Sequence, residues 1–286
     1  MKHIDTLISD IYSLFGKDRI EVSDALLSDF STELTKLVGI RLGELSDRQP
    51  TLRMSNIGKP DRQIWYDING KHEKEPLLGH THIKFMYGDL IEQLVIFLAK
   101  QAGHTVEFEQ KEVELDGIKG HIDCYIDGWL IDVKSASPYS FQKFDTGSLF
   151  EAGNDPFGYV GQLSGYAKAE KAENCAFLAV NKVLGTLSLL PVPSEIRGSY
   201  DVEQRIKDIR EVIKYPEPPR RCYLPKEDGK SGNLILDTGC SYCNHKFECW
   251  SDANNGLGLR VFFYYSGPKF FVEVKREPNV PEKGRF

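Results

Sequence analysis

The chain has 286 residues, 41% hydrophobic and 27% charged, with a net charge of -6 at pH 7. That is ordinary globular make-up, long enough for a substantial core and one large or two small domains. No apolar run of about 18 residues occurs, so no transmembrane helix is expected. The N-terminal stretch Met-Lys-His-Ile-Asp-Thr-Leu-Ile-Ser-Asp lacks a signal-peptide pattern, so a cytoplasmic setting is the expectation.

In chain order, residues 1–50 read as a helical extension. Ile4, Leu7, Ile8, Ile11 and Leu14 follow helical spacing, and a second run covers Ala25 to Leu45. Residues 51–79 are more irregular, with Pro60 and Pro76 as breaks. A strong helix follows from about Met86 to Gln101. Its apolar residues Leu90, Ile91, Leu94, Val95, Ile96, Phe97 and Leu98 cover most of its circumference, which predicts burial. Glu92 lies within it. A buried carboxylate calls for a partner or a cation, whereas a narrow polar stripe with Asp89 and Gln93 would leave it solvated. The two readings stand level.

Three strands are predicted next, Thr105–Leu115, Gly120–Ile126 and Trp129–Lys134. The last two read as a hairpin turning at Asp127-Gly128, since Asp-Gly between apolar runs is a strong turn signal. Asp123 lies on its first strand and Asp132-Val133-Lys134 on its second. Alternation puts Asp132 and Lys134 on one face. Two carboxylates and a lysine gathered there could hold a divalent metal beside an anionic substrate, the layout of metal-assisted phosphodiester hydrolysis. Taken alone, Asp-x-Lys on a strand is more often a solvated face with a weak ion pair.

Ser135 to about Pro156 reads as a loop carrying Tyr139, Phe141, Phe144 and Phe150, with Phe157 just beyond. These rings offer stacking surfaces for bases, although packing of the loop against the body is weighed above that. A helix from about Tyr159 to Lys171 follows, with Gln162 and Tyr166 on one face. Strands at Ala176–Val180 and Leu187–Val192 come next, then a polar helix Val202–Lys214 ended by Pro216, Pro218 and Pro219. The final segment, Leu259–Lys275, alternates like a hairpin turning at Gly267-Pro268. Helix, three strands, helix, strand is the order of an α/β sandwich with a mixed sheet.

The negative net charge argues mildly against nonspecific nucleic-acid binding without excluding a local basic surface. Candidates are Arg205, Lys207, Arg210, Lys214, Arg220, Arg221, Lys269, Lys275 and Arg276; each taken singly reads as a solubilising charge. Six cysteines occur, and disulfides are not expected in a cytosolic chain. Cys124 and Cys175 lie in apolar strand-like runs and read as core. Cys240-x2-Cys243-x5-Cys249, preceded by Cys222 with 17 residues between, reads as a thiolate metal site. Four cysteines suit [4Fe–4S] or Zn²⁺ equally, and His245 is a further zinc-ligand candidate.

Glu92 on a helix, Gly-His-Ile-Asp ending at Asp123, Asp132-Val133-Lys134, then Gln162-x3-Tyr166 is an order that resembles the PD-(D/E)XK nuclease superfamily. It is most similar to the RecB-like branch, over roughly residues 51–250. The cysteine triplet followed by Trp250 resembles the iron–sulfur CRISPR-associated and AddB-type nucleases. The resemblance implies a restriction-endonuclease-like core over 51–215, a mixed sheet flanked by helices. The helical extension 1–50 would precede it, and a C-terminal cysteine-metal segment over 216–286 would follow. It implies that Asp123 and Asp132 ligate Mg²⁺ or Mn²⁺, with the Val133 carbonyl as a third ligand and Glu92 completing or orienting the site. CRISPR-associated relatives carry His near the position of Glu92, so this chain departs there. Lys134 would orient or activate water and stabilise the phosphate, and Gln162 and Tyr166 would position substrate or brace the ligands. His121 reads as a phosphate contact or a structural hydrogen bond, and His80 and His82 lie within reach in sequence.

In those relatives the fourth cysteine lies upstream of the core, before an aromatic pair. Here Asp61 stands in its place, ahead of Trp65-Tyr66. Cys222 is the preferred fourth ligand, with Asp61 or a zinc site as alternatives. The centre would be structural. The implied function is a metal-dependent DNA exonuclease acting on ends or single strands in recombination, repair or replication, in a bacterial or phage-infected cell. Recombination or replication proteins would be its partners, with no membrane. The alternatives are a noncatalytic DNA-binding or assembly subunit and a zinc-stabilised interaction protein.

Overall fold

The computed structural model describes residues 2–16, 20–43, 51–70 and 79–282, without the side chains of His80 and Thr81. Leu45, Pro76 and the His80 side chain therefore lie outside the described residues. In chain order the elements are α1 (Leu7–Ser13), α2 (Asp24–Gly43), α3 (Asp61–Asn69), α4 (Gly79–Gln101), β1 (Val106–Glu107), β2 (Glu112–Leu115), β3 (Ile118–His121), β4 (Cys124–Ile126) and β5 (Trp129–Ala136). Then come α5 (Pro138–Asp145), α6 (Tyr159–Glu170), β6 (Cys175–Asn181), β7 (Leu187–Pro191), α7 (Ser194–Ser199) and α8 (Val202–Val212). Last are β8 (Lys226–Glu227), β9 (Leu234–Ile235), α9 (Thr238–Ser241), α10 (Lys246–Cys249), β10 (Arg260–Tyr264) and β11 (Gly267–Glu273). The chain divides into two compact units, one of Met1–Gly58 with Leu77–Ile206, the other of Lys59–Pro76 with Lys207–Phe286.

The first unit is built on a five-stranded mixed sheet in the order β1-β4-β5-β6-β7. The β5–β6 pair is parallel and all other pairs are antiparallel. Ile131, Val133, Ala176 and Leu178 of the central strands join Ile4, Leu7 and Ile11 of the N-terminal turn and helix, and Val95, Ile96 and Ala99 of α4, in one core. The alternate residues turn to the other face, where Phe177 packs on Phe144 of α5 at 5.6 Å. Cys124 and Cys175 are fully buried.

The sheet departs from the sequence expectation in three places. The predicted strand Thr105–Leu115 is split into β1 and β2 by a turn in which Phe108 and Gln110 adopt left-handed backbone, φ 55° and 52°. The predicted strand Gly120–Ile126 is also split, because β3 pairs only with β2 while β4 joins the main sheet. Buried Ile122 and half-buried Asp123 make the crossing. Ser135–Pro156 is not all loop: β5 runs to Ala136 and α5 follows. The Ser137 hydroxyl accepts from the Ser140 N–H at 3.3 Å and Pro138 takes the first helical position, a strong helix start. Phe141 and Phe144 are buried by α5, which removes them as stacking surfaces; Tyr139 stays 71% exposed.

Helix α4 is not buried all round. Val95, Ile96 and Ala99 face the core, but Leu94 is 45% exposed. Helix α2 covers part of the remainder, with Phe30 stacked on Phe97 at 4.8 Å. The hairpin turn is where the sequence places it. Asp127 and Gly128 both take left-handed φ, 48° and 80°. The Asp127 carboxylate ties the turn down, meeting buried His104 Nδ1 at 2.6 Å and accepting from the Thr105 N–H at 3.0 Å.

In the second unit a four-stranded sheet runs β10-β11-β9-β8. The terminal hairpin turns at Tyr265-Ser266, two residues before the expected Gly267-Pro268, since Tyr264 pairs with Gly267. A small core of Leu236, Cys240, Trp250 and Ala253 lies beside it.

Candidate active site

Asp132 and Lys134 project from one face of β5 as alternation requires, and Lys134 Nζ lies 2.5 Å from Asp132 Oδ2. Asp132 is only 2% exposed. Despite the nearby ammonium, neither of its oxygens has a hydrogen-bond partner of proper geometry. Burial pushes the Asp132 carboxyl up, and Lys134 pulls the other way. Burial acts to lower Lys134, but Asp132 and Asp123 outweigh it and hold the lysine above its ordinary range. The lysine is therefore a fixed cation. Its Nζ also stands 4.9 Å over the ring of Tyr159.

Asp123 sits in the break between β3 and β4. The ladder to β5 ends at Cys124↔Ile131, and the Asp123 carboxylate takes over, accepting from the Val133 N–H at 2.6 Å. Burial, then Glu92, then Asp132, push its carboxyl well up. Val133 is central in β5, opposite Leu178 of β6.

Glu92 Oε1 accepts from Gln110 Nε2 at 2.7 Å. Burial chiefly, then Asp89, raise the Glu92 carboxyl to about 7, with Asp132 adding and Lys134 opposing. Glu92 is half-buried, as Asp89 and Gln93 beside it are, with its carboxylate held by Gln110 while Asp89 pairs with Arg41. Gln110 was missed by the sequence reading. Its backbone N–H donates to the Asp123 carbonyl at 3.0 Å while its side chain holds Glu92. Its left-handed backbone, φ 52°, is fixed by both bonds, and no sequence pattern announces it.

Helix α6 starts where Asp155 accepts from the N–H groups of Tyr159 and Val160 at 2.9 and 2.8 Å. One turn on, Gln162 Nε2 donates to the Tyr166 hydroxyl at 3.4 Å. Burial pushes Tyr166 up to about 12. Gly120 is required here, because a Cβ on it would come within 2.7 Å of the Tyr166 ring and 2.5 Å of Met54. The glycine of Gly-His-Ile-Asp thus lets the tyrosine approach. His121 points away, exposed, 3.9 Å from Glu112, and His82 is exposed on α4. Lys214, Arg221, Lys269 and Lys275 each pair with an acidic neighbour, so these members of the expected basic surface are neutralised locally.

In the second unit Cys222, Cys240, Cys243 and Cys249 line one cavity of about 20 Å³ together with Arg62, Tyr66, His245 and Trp250. Asp61, at the first position of α3, is not in that lining. Burial pushes the thiols of Cys222, Cys240 and Cys243 up, the last two to about 12 and about 11. N–H groups oppose this: the backbone of Gln63 and Arg62 at Cys222, the Trp250 indole at Cys240, the His245 backbone at Cys243. The Trp250 Nε1 is itself buried without a hydrogen-bond partner of proper geometry. His245 is not exposed; it is 7% exposed, stacked on Tyr66 at 5.4 Å and bound through Nε2 to Asp67 Oδ1 at 2.8 Å. A metal ion would have to be met by Nδ1, with the Asp67 carboxylate orienting the ring.

Among the described residues, no group of three or more His, Cys, Asp or Glu side chains stands at metal-holding geometry. Each site carboxylate faces a donor from the protein instead: Glu92 faces Gln110, Asp123 the Val133 N–H and Asp132 the lysine. The donor sets nonetheless fit metals, with carboxylate oxygens suited to Mg²⁺ or Mn²⁺ and four thiols to iron–sulfur or zinc. No helix among the described residues is long and apolar enough to cross a membrane.

No family description matches the chain, and no curated protein sequence matches it. Solved structures of similar shape include SSO0001, at a TM-score of 0.43 and 16% identity, covering 75% of this chain and 93% of that one. A phage-related exonuclease from Haemophilus somnus 129PT matches at 0.38 and 15%, covering 58% and 94%. An alkaline exonuclease from Laribacter hongkongensis matches at 0.39 and 13%, covering 59% and 92%. Each likeness is loose, so the function of this chain rests on its own residues.

Proposed function

We propose that this chain is a Mg²⁺- or Mn²⁺-dependent deoxyribonuclease that hydrolyses phosphodiester bonds at DNA ends or in single strands. The observation that carries it is Asp132, a carboxylate 2% exposed with neither oxygen in a proper hydrogen bond. It stands within electrostatic reach of two further carboxylates, Glu92 and Asp123. Carboxylates raised by burial and by neighbouring acids, as Glu92 and Asp123 are, are stable as anions only beside concentrated positive charge. One lysine does not supply it.

Asp123, Asp132 and Glu92 would hold the ion, with the Val133 carbonyl beside them. A divalent cation bound there would lower the pKa of an attacking water and offset charge on the phosphate. Lys134, fixed as a cation, serves the charge on the phosphate and does not take a proton. Tyr159 keeps the ammonium in place through its ring face. The Gln162–Tyr166 pair presents one amide and one protonated phenol for orienting the substrate. The preference for ends, and a setting in recombination, repair or replication, are supported by the motif order shared with the RecB-like branch.

The four cysteines are read as a structural iron–sulfur or zinc centre, with Cys222 as fourth ligand. Their common cavity, which Asp61 does not line, supports that choice. The test of the nuclease reading is cleavage of end-labelled linear and circular DNA with Mg²⁺ or Mn²⁺ by anaerobically purified wild type and Asp132→Ala. Cleavage of the linear form alone, lost in the variant, is expected. Equal cleavage by both proteins, or none by either with any divalent ion, would overturn the reading.

A further inference from the structure

Arg62 lies on α3, half-buried, and none of its partners is a carboxylate. Its Nε donates to Cys249 Sγ at 3.1 Å. Its Nη1 donates to the carbonyls of Pro218 and Pro219. Its Nη2 donates to the Tyr66 hydroxyl at 3.4 Å, and the guanidinium stands over the Tyr66 ring at 5.4 Å. Arginine is always charged, and a charge withdrawn from water calls for an opposite charge or a full set of strong acceptors. Two prolyl carbonyls and a phenol are neutral. A protonated thiol is a weak acceptor. The Cys249 sulfur, as the ligand of a bound metal, is the partner that would complete the pairing.

At the other sulfurs the backbone N–H groups of Gln63, Arg62 and His245 and the Trp250 indole act against burial, and the charges of Arg62 at Cys222 and Lys246 at Cys243 act in the same direction. Cys249 is also gripped from behind, since Arg221 donates to its carbonyl oxygen at 2.9 Å without contacting its sulfur. The two arginines thus act on different atoms of one residue.

We propose that Arg62 is a positioning residue of the cysteine centre, whose charge-assisted hydrogen bond to the Cys249 sulfur sets how tightly the centre holds its metal. This rests on reading the four cysteines as one metal centre. Removing such a bond withdraws positive charge from a ligand sulfur. Groups that support metal ligands in this way are typically worth about 10- to 100-fold in metal affinity.

The experiment uses the full chain, purified anaerobically as wild type, Arg62→Gln, Arg62→Lys and Arg221→Gln. Metal and sulfide content are measured first. Metal release to a chromophoric chelator is then timed, and the sulfur-to-metal charge-transfer absorption is recorded on the native or cobalt-substituted protein. Arg62→Gln is expected to release metal about 10-fold faster and to move the absorption to lower energy. Arg62→Lys keeps the charge but not the planar fork, so it should fall between; it carries the test if Arg62→Gln does not fold. Arg221→Gln should move the absorption much less, because Arg221 reaches the centre only through the Cys249 carbonyl and the Trp250 ring. Wild-type release and an unmoved band in either Arg62 variant would overturn the proposal. So would an equal band shift in Arg221→Gln, which would make Arg62 a mere staple of the Pro218–Pro219 turn. A wild type that neither carries nor takes up metal would sink the centre itself, a result distinct from a loaded wild type with an indifferent Arg62.

Discussion

The carboxylate site and the cysteine cavity solve opposite problems. Around the cysteines, the Cys249 sulfur accepts from an arginine side chain, and N–H groups act against the burial of the other three. Around the carboxylates, three acids share one lysine, and the most deeply buried of them has no proper hydrogen bond. The first arrangement would suit a fixed group that holds the fold. The second keeps charge in excess, as a site must if it is to bind a hard cation and release a product.

Breaking the carboxylate side should have the largest effect. Asp132→Ala is expected to lower metal-dependent cleavage by about 10³-fold, in the range seen when a main electrostatic group is removed. Circular dichroism should remain unchanged. Cleavage within about 10-fold of wild type would take Asp132 out of the chemistry.

Breaking the cysteine side should act on the fold instead. Cys222→Ser is expected to lose metal and lower the melting midpoint by roughly 10 °C, several kcal/mol for a chain of this size. Asp61→Ala should do neither. A reversed pair of results would move the fourth ligand to Asp61.

The contrast sharpens with pH. Burial raises the Glu92 carboxyl from its ordinary 4.5 to about 7 in the folded chain. The folded state then binds more protons than the unfolded state between these values. The contribution of Glu92 to the stability of the metal-free protein is therefore fully present below pH 4.5 and is lost as pH rises through about 7. Chemical denaturation across that window should show Glu92 contributing about 2–3 kcal/mol to the decline. Glu92→Gln should flatten it, and Mg²⁺ at pH 8 should stabilise wild type more than the variant. A slope that survives in Glu92→Gln would place the burden on another acid.

The smallest effect is expected at Tyr159. Tyr159→Leu removes the ring face under Lys134, about 1 kcal/mol, or roughly fivefold in cleavage. Tyr159→Phe should stay near wild type. Equal losses in both would point to the hydroxyl.

Much of this was legible in the residues. The Asp127-Gly128 turn, the shared face of Asp132 and Lys134, and the Gln162–Tyr166 pair follow from local rules of turn chemistry and periodicity. Asp123 was found but set on a continuous strand, because nothing local announces that a chain will leave one sheet for another at Ile122. The Ser137-Pro138 helix start was present in the sequence and overlooked beneath a polar composition. Gln110 and Arg62 were out of reach. The former acts through an unusual backbone angle, and the latter through a sulfur 187 positions away.

The central claim is that Glu92, Asp123 and Asp132 form a divalent-cation site, and calorimetric titration of Mn²⁺ tests it most directly. Wild type, Asp132→Asn and Asp123→Asn would be compared after the cysteine centre is loaded. Saturable binding in wild type that is lost in both variants is the predicted result. Identical titrations in all three proteins would contradict the claim, leaving the three carboxylates a buried network with no metal to serve.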